Sequence, residues 1–294
     1  MNAVADPSPH RLRVEEFRLL RDLFRERAGL QFGDESLFGF DRRLGERVAA
    51  LGLGGFAEYY RYLRFDPRGS TEVEQALDLL TTKETYFFRQ SYQLDAFARE
   101  LLPRLAAQAS GRRRLTLWSA GCSTGEEAYT LAILACESGL FEGWDLRIVG
   151  SDISRTNVAH ARRGVYRESS FRTTSKEMRR AYFDEREDGW HVRDSIRRLC
   201  HFGQLNLLDG TRTAIVGRVD AVFCRNVLIY FDAFSRRRVI DHLYERLVPG
   251  GYLLLGHSES LLNVSTAFEL VHLTEDLVYR RPMASERRSG SPPR

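Results

Sequence analysis

Two carboxylates directly follow a turn of small residues in Trp118-Ser119-Ala120-Gly121-Cys122-Ser123-Thr124-Gly125-Glu126-Glu127. The run is entered from Leu115-Thr116-Leu117, so it reads as a buried strand turning into a helix. Glycine permits the tight turn, and the first helical N–H groups, unpaired within the helix, can donate to a ligand. The next apolar run, Leu146-Arg147-Ile148-Val149-Gly150, ends at Ser151-Asp152-Ile153. A carboxylate at Asp152 is placed to accept hydrogen bonds from ribose hydroxyls, as in nucleotide-binding βαβ units. A dinucleotide site would require G-x-G-x-x-G, and this chain has Gly121-x-x-x-Gly125 followed by Glu126 and Glu127, which would repel a diphosphate. S-adenosylmethionine, a nucleoside with a sulfonium cation and no phosphate, suits these residues better. Either glutamate alone is equally well explained as stabilising the start of a helix through its dipole.

The elements that must position these groups are legible as two patterns. Residues 12–80 carry helical periodicity. Phe17, Leu20 and Phe24 mark one helix. Leu37, Phe40, Leu44, Val48 and Leu51 mark a second, with Asp34 as its expected cap and Gly52 as its end. Phe56, Tyr59, Tyr60 and Leu63 mark a third, and Thr71 with Glu74 is expected to form a capping box for a fourth. A linker is expected at Thr81–Arg89, and the helix carrying Leu94, Phe97, Leu101 and Leu105 is expected to kink or end at Pro103. From Leu115 strands and helices alternate: strands at 115–119, 146–151, 219–224 and 252–256, helices from 126, at 154–162 and at 233–247. That alternation predicts a parallel α/β sheet, closed by an antiparallel pair at Ala267–Leu273 and Asp276–Arg280. Residues 164–199 interrupt it as an inserted subdomain, with a short helix around Lys176–Phe183, a turn at Asp188-Gly189 and an extended stretch from Trp190 to Arg197. The expected organisation is an N-terminal all-helical domain over 12–85, an α/β domain over 86–281 and a disordered tail over 282–294.

Composition bounds the class. The chain has 294 residues, 43% of them hydrophobic, enough for one large domain or two. There is no apolar run of about 18 residues for a membrane span, and Met1–His10 lacks the apolar core of a signal peptide, so a cytoplasmic location without membrane insertion is expected. Cys122, Cys136, Cys200 and Cys224 are widely spaced, without C-x-x-C; they are expected to be buried, reduced thiols, with neither disulfides nor a metal site. The net charge is +4, carried almost entirely by arginine, since Lys83 and Lys176 are the lysines. So modest a balance does not argue for nucleic acid as a partner. Arg43 and Arg47, one turn apart on the second helix, form a candidate docking pair, with solvated charges as the plainer reading.

Taken together, Thr81-Thr82-x-x-Thr85-x-Phe87-Phe88-Arg89, the Trp118–Glu127 run, Ser151-Asp152-Ile153 and Phe223-Cys224-Arg225-Asn226-Val227-Leu228-Ile229-Tyr230-Phe231 resemble the CheR-type chemotaxis receptor methyltransferases over almost the whole chain. The resemblance implies a Rossmann-like S-adenosylmethionine-dependent methyltransferase sheet with an N-terminal all-helical domain and a small inserted β subdomain. It implies O-methylation of glutamate side chains on cytoplasmic helices of chemoreceptors, with S-adenosylhomocysteine as the product. Carried over by position, Thr85, Arg89, Gly121, Glu127, Asp152, Asn206, Leu207, Arg225 and Asn226 are implied cofactor contacts. Arg89 and Tyr230 are implied beside the reacting centre, and Arg43 and Arg47 are assigned to the receptor. Lys83 departs from the family's usual asparagine. Some members tether to a receptor's C-terminal peptide through a glycine-rich hairpin in the insertion; here Phe183–Trp190 holds one glycine and four acidic residues, so no such tether is expected. A methyltransferase for another substrate, or a noncatalytic S-adenosylmethionine sensor, would share the cofactor half.

Overall fold

The computed structural model describes residues 11–81 and 84–283, so Thr82, Lys83, the first ten residues and the tail from 284 lie outside the described residues. Two compact units are present: residues 11–81 with Tyr230–Asp232, and residues 84–229 with 233–283.

The first unit consists of α1 (Val14–Ala28), α2 (Leu37–Ala50), α3 (Phe56–Phe65) and α4 (Gly69–Leu80). The predicted stripes face inward: Phe17, Leu20, Phe24, Phe40, Leu44, Val48, Tyr59 and Leu63 are buried. Phe40 takes Phe17 and Phe24 edge-on at 5.0 and 5.8 Å, the arrangement favoured by ring quadrupoles. Two start signals are corrected. Asp34 begins a short 3-10 turn, Asp34–Ser36, and pairs with Arg21 at 3.0 Å instead of capping α2. Thr71 lies inside α4, which starts at Gly69 because the turn Asp66-Pro67-Arg68 already closes it, with Gly69 N donating to Asp66 O at 2.9 Å. A side chain at Gly69 would meet the Tyr62 and Leu63 carbonyls at 2.5 and 2.7 Å, so this close approach of α3 to α4 requires glycine. Within the same unit Leu30 bridges Phe231, and Gln31 N donates to Tyr230 O at 2.7 Å.

The second unit opens with α5 (Ser91–Ala96) and α6 (Leu102–Ala109), joined through a π turn at Phe97–Leu101. Pro103 therefore neither ends nor interrupts the helix: the wider turn just before it accommodates the missing N–H and the ring. The chain continues as β1 (Arg114–Ala120), α7 (Glu126–Glu137), β2 (Asp145–Asp152), α8 (Arg155–Arg163), β3 (Val165–Tyr166), α9 (Lys176–Tyr182), β4 (Phe183–Arg186), β5 (Gly189–Val192), α10 (Asp194–Arg197), β6 (Cys200–Gln204), α11 (Gly210–Thr213), β7 (Val219–Cys224), α12 (Ala233–Arg246), β8 (Leu247–Leu255), β9 (Glu269–His272) and β10 (Leu277–Arg280).

Seven strands form one sheet in the order β6-β2-β1-β7-β8-β10-β9. The first five are parallel and β10 runs antiparallel to both β8 and β9. Every residue of β7 is buried, as expected for a strand covered on both faces. The order reverses between β1 and β7, the crevice where open α/β sheets receive ligands at their carboxyl ends. The insertion is a second, three-stranded sheet, β3-β5-β4. The stretch expected to be extended from Trp190 to Arg197 is so only to Val192; Arg193 is the N-cap of α10, whose Ile196 is buried. Cys122, Cys200 and Cys224 are buried and free, whereas Cys136, expected inside, sits in the last turn of α7 and is exposed. Among the described residues no helix is long and apolar enough to cross a membrane.

Candidate cofactor and methyl-transfer site

The site is assembled by three loops at the carboxyl end of the sheet, together with the segment 84–90. After β1 the chain turns at Gly121, where φ is +85°. A Cβ there would collide with Val227 Cγ2 from the loop after β7, so glycine is needed both for the backbone and for the close approach of the two loops. Gly125, at φ +100°, precedes α7, and a Cβ there would meet Ala161 Cβ at 2.7 Å. Gly121 N and Cys122 N both donate to Ser151 O at 2.8 Å, tying this turn to the end of β2. Among the described residues six other than glycine have positive φ, and four of them, Phe88, Gln90, Ser123 and Asn226, lie in these segments. Conformations of that kind persist where surrounding contacts enforce them, and they concentrate at functional sites.

The contacts between the 84–90 segment and the start of α7 converge on Arg225. Its side chain is 3% exposed and its guanidinium reaches Glu127 Oε2 at 3.1 Å, Arg89 O at 2.6 Å and Gln90 Oε1 at 2.7 Å. Glu127 also accepts from Ser119 Oγ at 2.7 Å. The carboxylate after β1 and the backbone of the 84–90 segment are thus held by one planar fork, a geometry that lysine cannot reproduce. Arg89 itself donates through Nη1 to Glu84 O at 2.9 Å and lies 5.8 Å from the Tyr86 ring centre. Thr85 is half-buried in the same segment.

Asp152 ends β2 with its carboxylate accepting from Ser123 N at 2.8 Å, Ser154 N at 2.9 Å and Asn157 Nδ2 at 3.3 Å. It therefore orders the β1 loop and the start of α8 together. The loop after β6 attaches at the same place: Leu205 N donates to Asp152 O at 2.9 Å, Asn206 Oδ1 accepts from Leu208 N at 3.1 Å, and Leu207 is buried. Glu126 is buried and points the other way, accepting from Thr124 Oγ1 at 2.7 Å and from Ser170 Oγ in the insertion at 3.1 Å. Burial pushes its carboxyl above the usual range, against the two hydroxyls, which act to lower it. Burial also pushes the Cys122 thiol up, helped by the Asp152, Glu127 and Glu126 carboxylates, which keeps it a protonated thiol and not a nucleophile.

The expected site residues divide accordingly. Thr85, Arg89, Gly121, Glu127, Asp152, Asn206, Leu207, Arg225 and Asn226 occupy adjoining loops and element ends of the α/β unit. Tyr230 belongs to the short turn Leu228–Tyr230, is 38% exposed, and falls in the helical unit. Arg43 and Arg47 are both engaged inside that unit. Arg43 donates to the Leu79 and Leu80 carbonyls at the end of α4 at 3.0 and 3.3 Å. Arg47 forms a two-pronged pair with Glu72, 2.8 and 2.6 Å, which also accepts from Tyr59 OH at 2.9 Å. Glu259 was missed. Its carboxylate accepts from four backbone N–H groups, and the only local signal is an acid three residues after Gly256, the residue that follows β8.

The donor set fits S-adenosylmethionine. Acidic side chains start α7 and end β2, while Ser123 Oγ and Arg225 Nε are buried without a hydrogen-bond partner among the described residues. Carboxylates suit ribose hydroxyls and the cofactor's positive charges, and would repel phosphates. Among the described residues no group of three or more His, Cys, Asp or Glu could hold a metal ion.

Comparison with known proteins agrees with this arrangement. Residues 83–277 match the family description "CheR methyltransferase, SAM binding domain", and residues 15–81 match "CheR methyltransferase, all-alpha domain". Chemotaxis protein methyltransferase 2 of Vibrio cholerae is 34% identical over 91% of this chain and 93% of its own length. Chemotaxis protein methyltransferase 1 of Pseudomonas aeruginosa is 34% identical over 90% and 97%, and the chemotaxis protein methyltransferase of Vibrio parahaemolyticus 33% identical over 90% and 96%. With both halves matched in order and the sheet, turn and acidic cluster where such a cofactor requires them, this chain belongs to the CheR methyltransferase family, enzymes that use S-adenosylmethionine in chemotaxis.

Proposed function

We propose that this enzyme esterifies glutamate side chains on the cytoplasmic helices of chemoreceptors, the methylation step of chemotactic adaptation. The observation that carries the reading is the cluster around Arg225, which presents Arg89 on a segment fixed from beneath. S-adenosylmethionine, when bound, supplies an electrophilic methyl group on sulfur. A glutamate carboxylate, with an ordinary pKa of about 4.3, is ionised at neutral pH and needs no general base. The protein's part is to orient and desolvate.

In this reading the Asp152 carboxylate accepts from ribose, Glu127 from the cofactor's amino group, and the loops at Asn206-Leu207 and Arg225-Asn226 flank the nucleoside. Thr85 and Gly121 border the same space. Arg89 attracts the acceptor carboxylate through charge-assisted hydrogen bonds, and the Tyr230 hydroxyl orients it. The helical unit supplies receptor recognition, with Arg43 the more available of its two arginines because Arg47 is paired with Glu72. The insertion contributes no peptide tether: the concavity at its hairpin is lined by four carboxylates, Glu168, Glu185, Glu187 and Asp188, against two guanidinium groups, Arg167 and Arg186, a net negative lining that disfavours an acidic receptor tail.

The deciding experiment incubates the enzyme with methyl-labelled S-adenosylmethionine and receptor cytoplasmic fragments. Label released as methanol by mild base identifies a carboxyl ester. Base-stable label, or none, refutes the assignment of the acceptor.

A further inference from the structure

Glu259 lies in the loop after β8, outside every motif that carries the family resemblance. Its Oε2 accepts from Asn226 N at 2.8 Å and Gly256 N at 2.7 Å; its Oε1 accepts from Val227 N at 2.9 Å and Ile229 N at 3.2 Å. Four main-chain donors on one carboxylate make an anion-binding nest filled by the protein itself. Three of the four belong to the loop after β7.

That loop reaches the cofactor turn through Val227. Val227, whose N–H Glu259 holds, packs its side chain onto Gly121 so closely that no Cβ fits there. Asn226, held by the same carboxylate, has φ +59°, a conformation a non-glycine residue keeps only when its neighbours enforce it. The packing is equally tight on the other side, where a Cβ on Gly256 would meet Asn226 N and Glu259 Oε2 at 2.8 Å.

We propose that Glu259 is a positioning residue for the cofactor site. By gathering these N–H groups it sets the path of Asn226–Ile229, and through Val227 it sets the Gly121 turn. Without the carboxylate the donors are left to water, Asn226 relaxes out of the left-handed region, and both loops lose register with Asp152 and Glu127. Misplacement of about 1 Å in such a site costs on the order of a hundredfold in rate. The inference rests on the cofactor assignment and is independent of which carboxylate is methylated.

The test uses the full chain and reads S-adenosylhomocysteine binding by calorimetry, which needs no methyl acceptor, so an error about the acceptor leaves it untouched. Glu259→Ala should weaken binding roughly tenfold or more, about 1.4 kcal/mol for each factor of ten, while helical circular dichroism is retained. Glu259 is only partly buried, so a small carboxylate can enter the emptied nest. Sodium formate should restore most of the affinity in Glu259→Ala, sodium chloride at equal ionic strength should not, and the parent protein should respond to neither. Unchanged affinity in a folded Glu259→Ala overturns the proposal, as does a loss that formate leaves in place. If Glu259→Ala does not fold, Glu259→Gln decides: it keeps one oxygen acceptor and the packing but not the charge. Weakened binding in folded Glu259→Gln supports the role, and parental affinity overturns it.

Discussion

Replacing Arg225 by lysine separates charge from shape at the centre of the site. The guanidinium makes three hydrogen bonds, to Glu127, to the Arg89 carbonyl and to Gln90. An ammonium keeps the charge but cannot span a carboxylate and a carbonyl on different segments, so two of the three are lost. Hydrogen bonds involving a charged group contribute about 1.5 to 3 kcal/mol each, and Glu127 retains its bond from Ser119, so the lower half of the range applies. Arg225→Lys should lower unfolding stability by about 3 kcal/mol on that basis. The three tryptophans, Trp118, Trp144 and Trp190, all lie in the α/β unit, so urea unfolding followed by their fluorescence reports on that unit alone. If half the loss appears in ligand affinity, S-adenosylhomocysteine binds roughly tenfold more weakly. A change in stability below about 0.5 kcal/mol, the scatter of ordinary surface substitutions, together with unaltered affinity, would refute the idea that this fork holds Glu127 and the Arg89 segment together.

Gly121→Ala should abolish measurable S-adenosylhomocysteine binding, since it combines a left-handed penalty of about 1 to 2 kcal/mol with a collision against Val227; calorimetry showing parental affinity contradicts this. Because burial raises the Glu126 carboxyl, its stabilising contribution is present below the ordinary carboxylate range and is lost as pH rises through the raised value. Glu126→Gln cannot ionise, so its melting temperature relative to the parent should climb from about pH 4 towards neutrality; a gap that is flat or shrinks with pH contradicts the sign. Arg43→Glu should slow methylation of receptor fragments without unfolding the helical unit. Arg47→Glu should cost that unit about 3 kcal/mol by stranding the buried Glu72 carboxylate, seen as an earlier loss of helical circular dichroism. Titration of the full chain with a receptor's C-terminal peptide should give a dissociation constant no tighter than about 1 mM, and micromolar binding would restore the tether.

Much of this architecture is written in short-range signals. The stripes of α1 to α4 have a period only a helix can bury, and the alternation from Leu115 dictates a parallel sheet whose carboxyl ends must bear Gly121 and Asp152. Other features depend on partners distant in the chain. The start of α4 is not legible locally: Thr71 and Glu74 satisfy a capping pattern, while the closed turn at Asp66-Pro67-Arg68 and the burial of Glu72 against Arg47 are tertiary facts. Strand β6 went unnoticed since Cys200-His201-Phe202-Gly203-Gln204 has neither alternation nor a continuous apolar run. Arg225 is a cofactor contact by resemblance, and its three protein partners, 98 to 136 residues away, leave no trace in local spacing. Glu259 is the same case: main-chain donors carry no residue type, so a carboxylate that binds them has no sequence partner to be found.

The insertion has two parts with different freedoms. Its base is bound to the cofactor loops: Tyr166 OH donates to Thr124 O at 2.7 Å, Ser170 Oγ to Glu126, and Phe87 N to Ser170 O at 2.9 Å. Its tip, residues 185–188, is bound mainly to itself, with Glu185 and Arg186 paired to Trp190 and Gly189 across β4 and β5 and Asp188 paired to His191, whereas Gly189 and Trp190 themselves lie against Tyr166 in β3. Variation can therefore accumulate at the tip without disturbing the chemistry, whereas any change at Tyr166 or Ser170 is felt at the cofactor. An exchange confined to residues 185–188 should therefore leave cofactor binding as it is, whereas a change about twenty residues earlier, at Tyr166 or Ser170, should not.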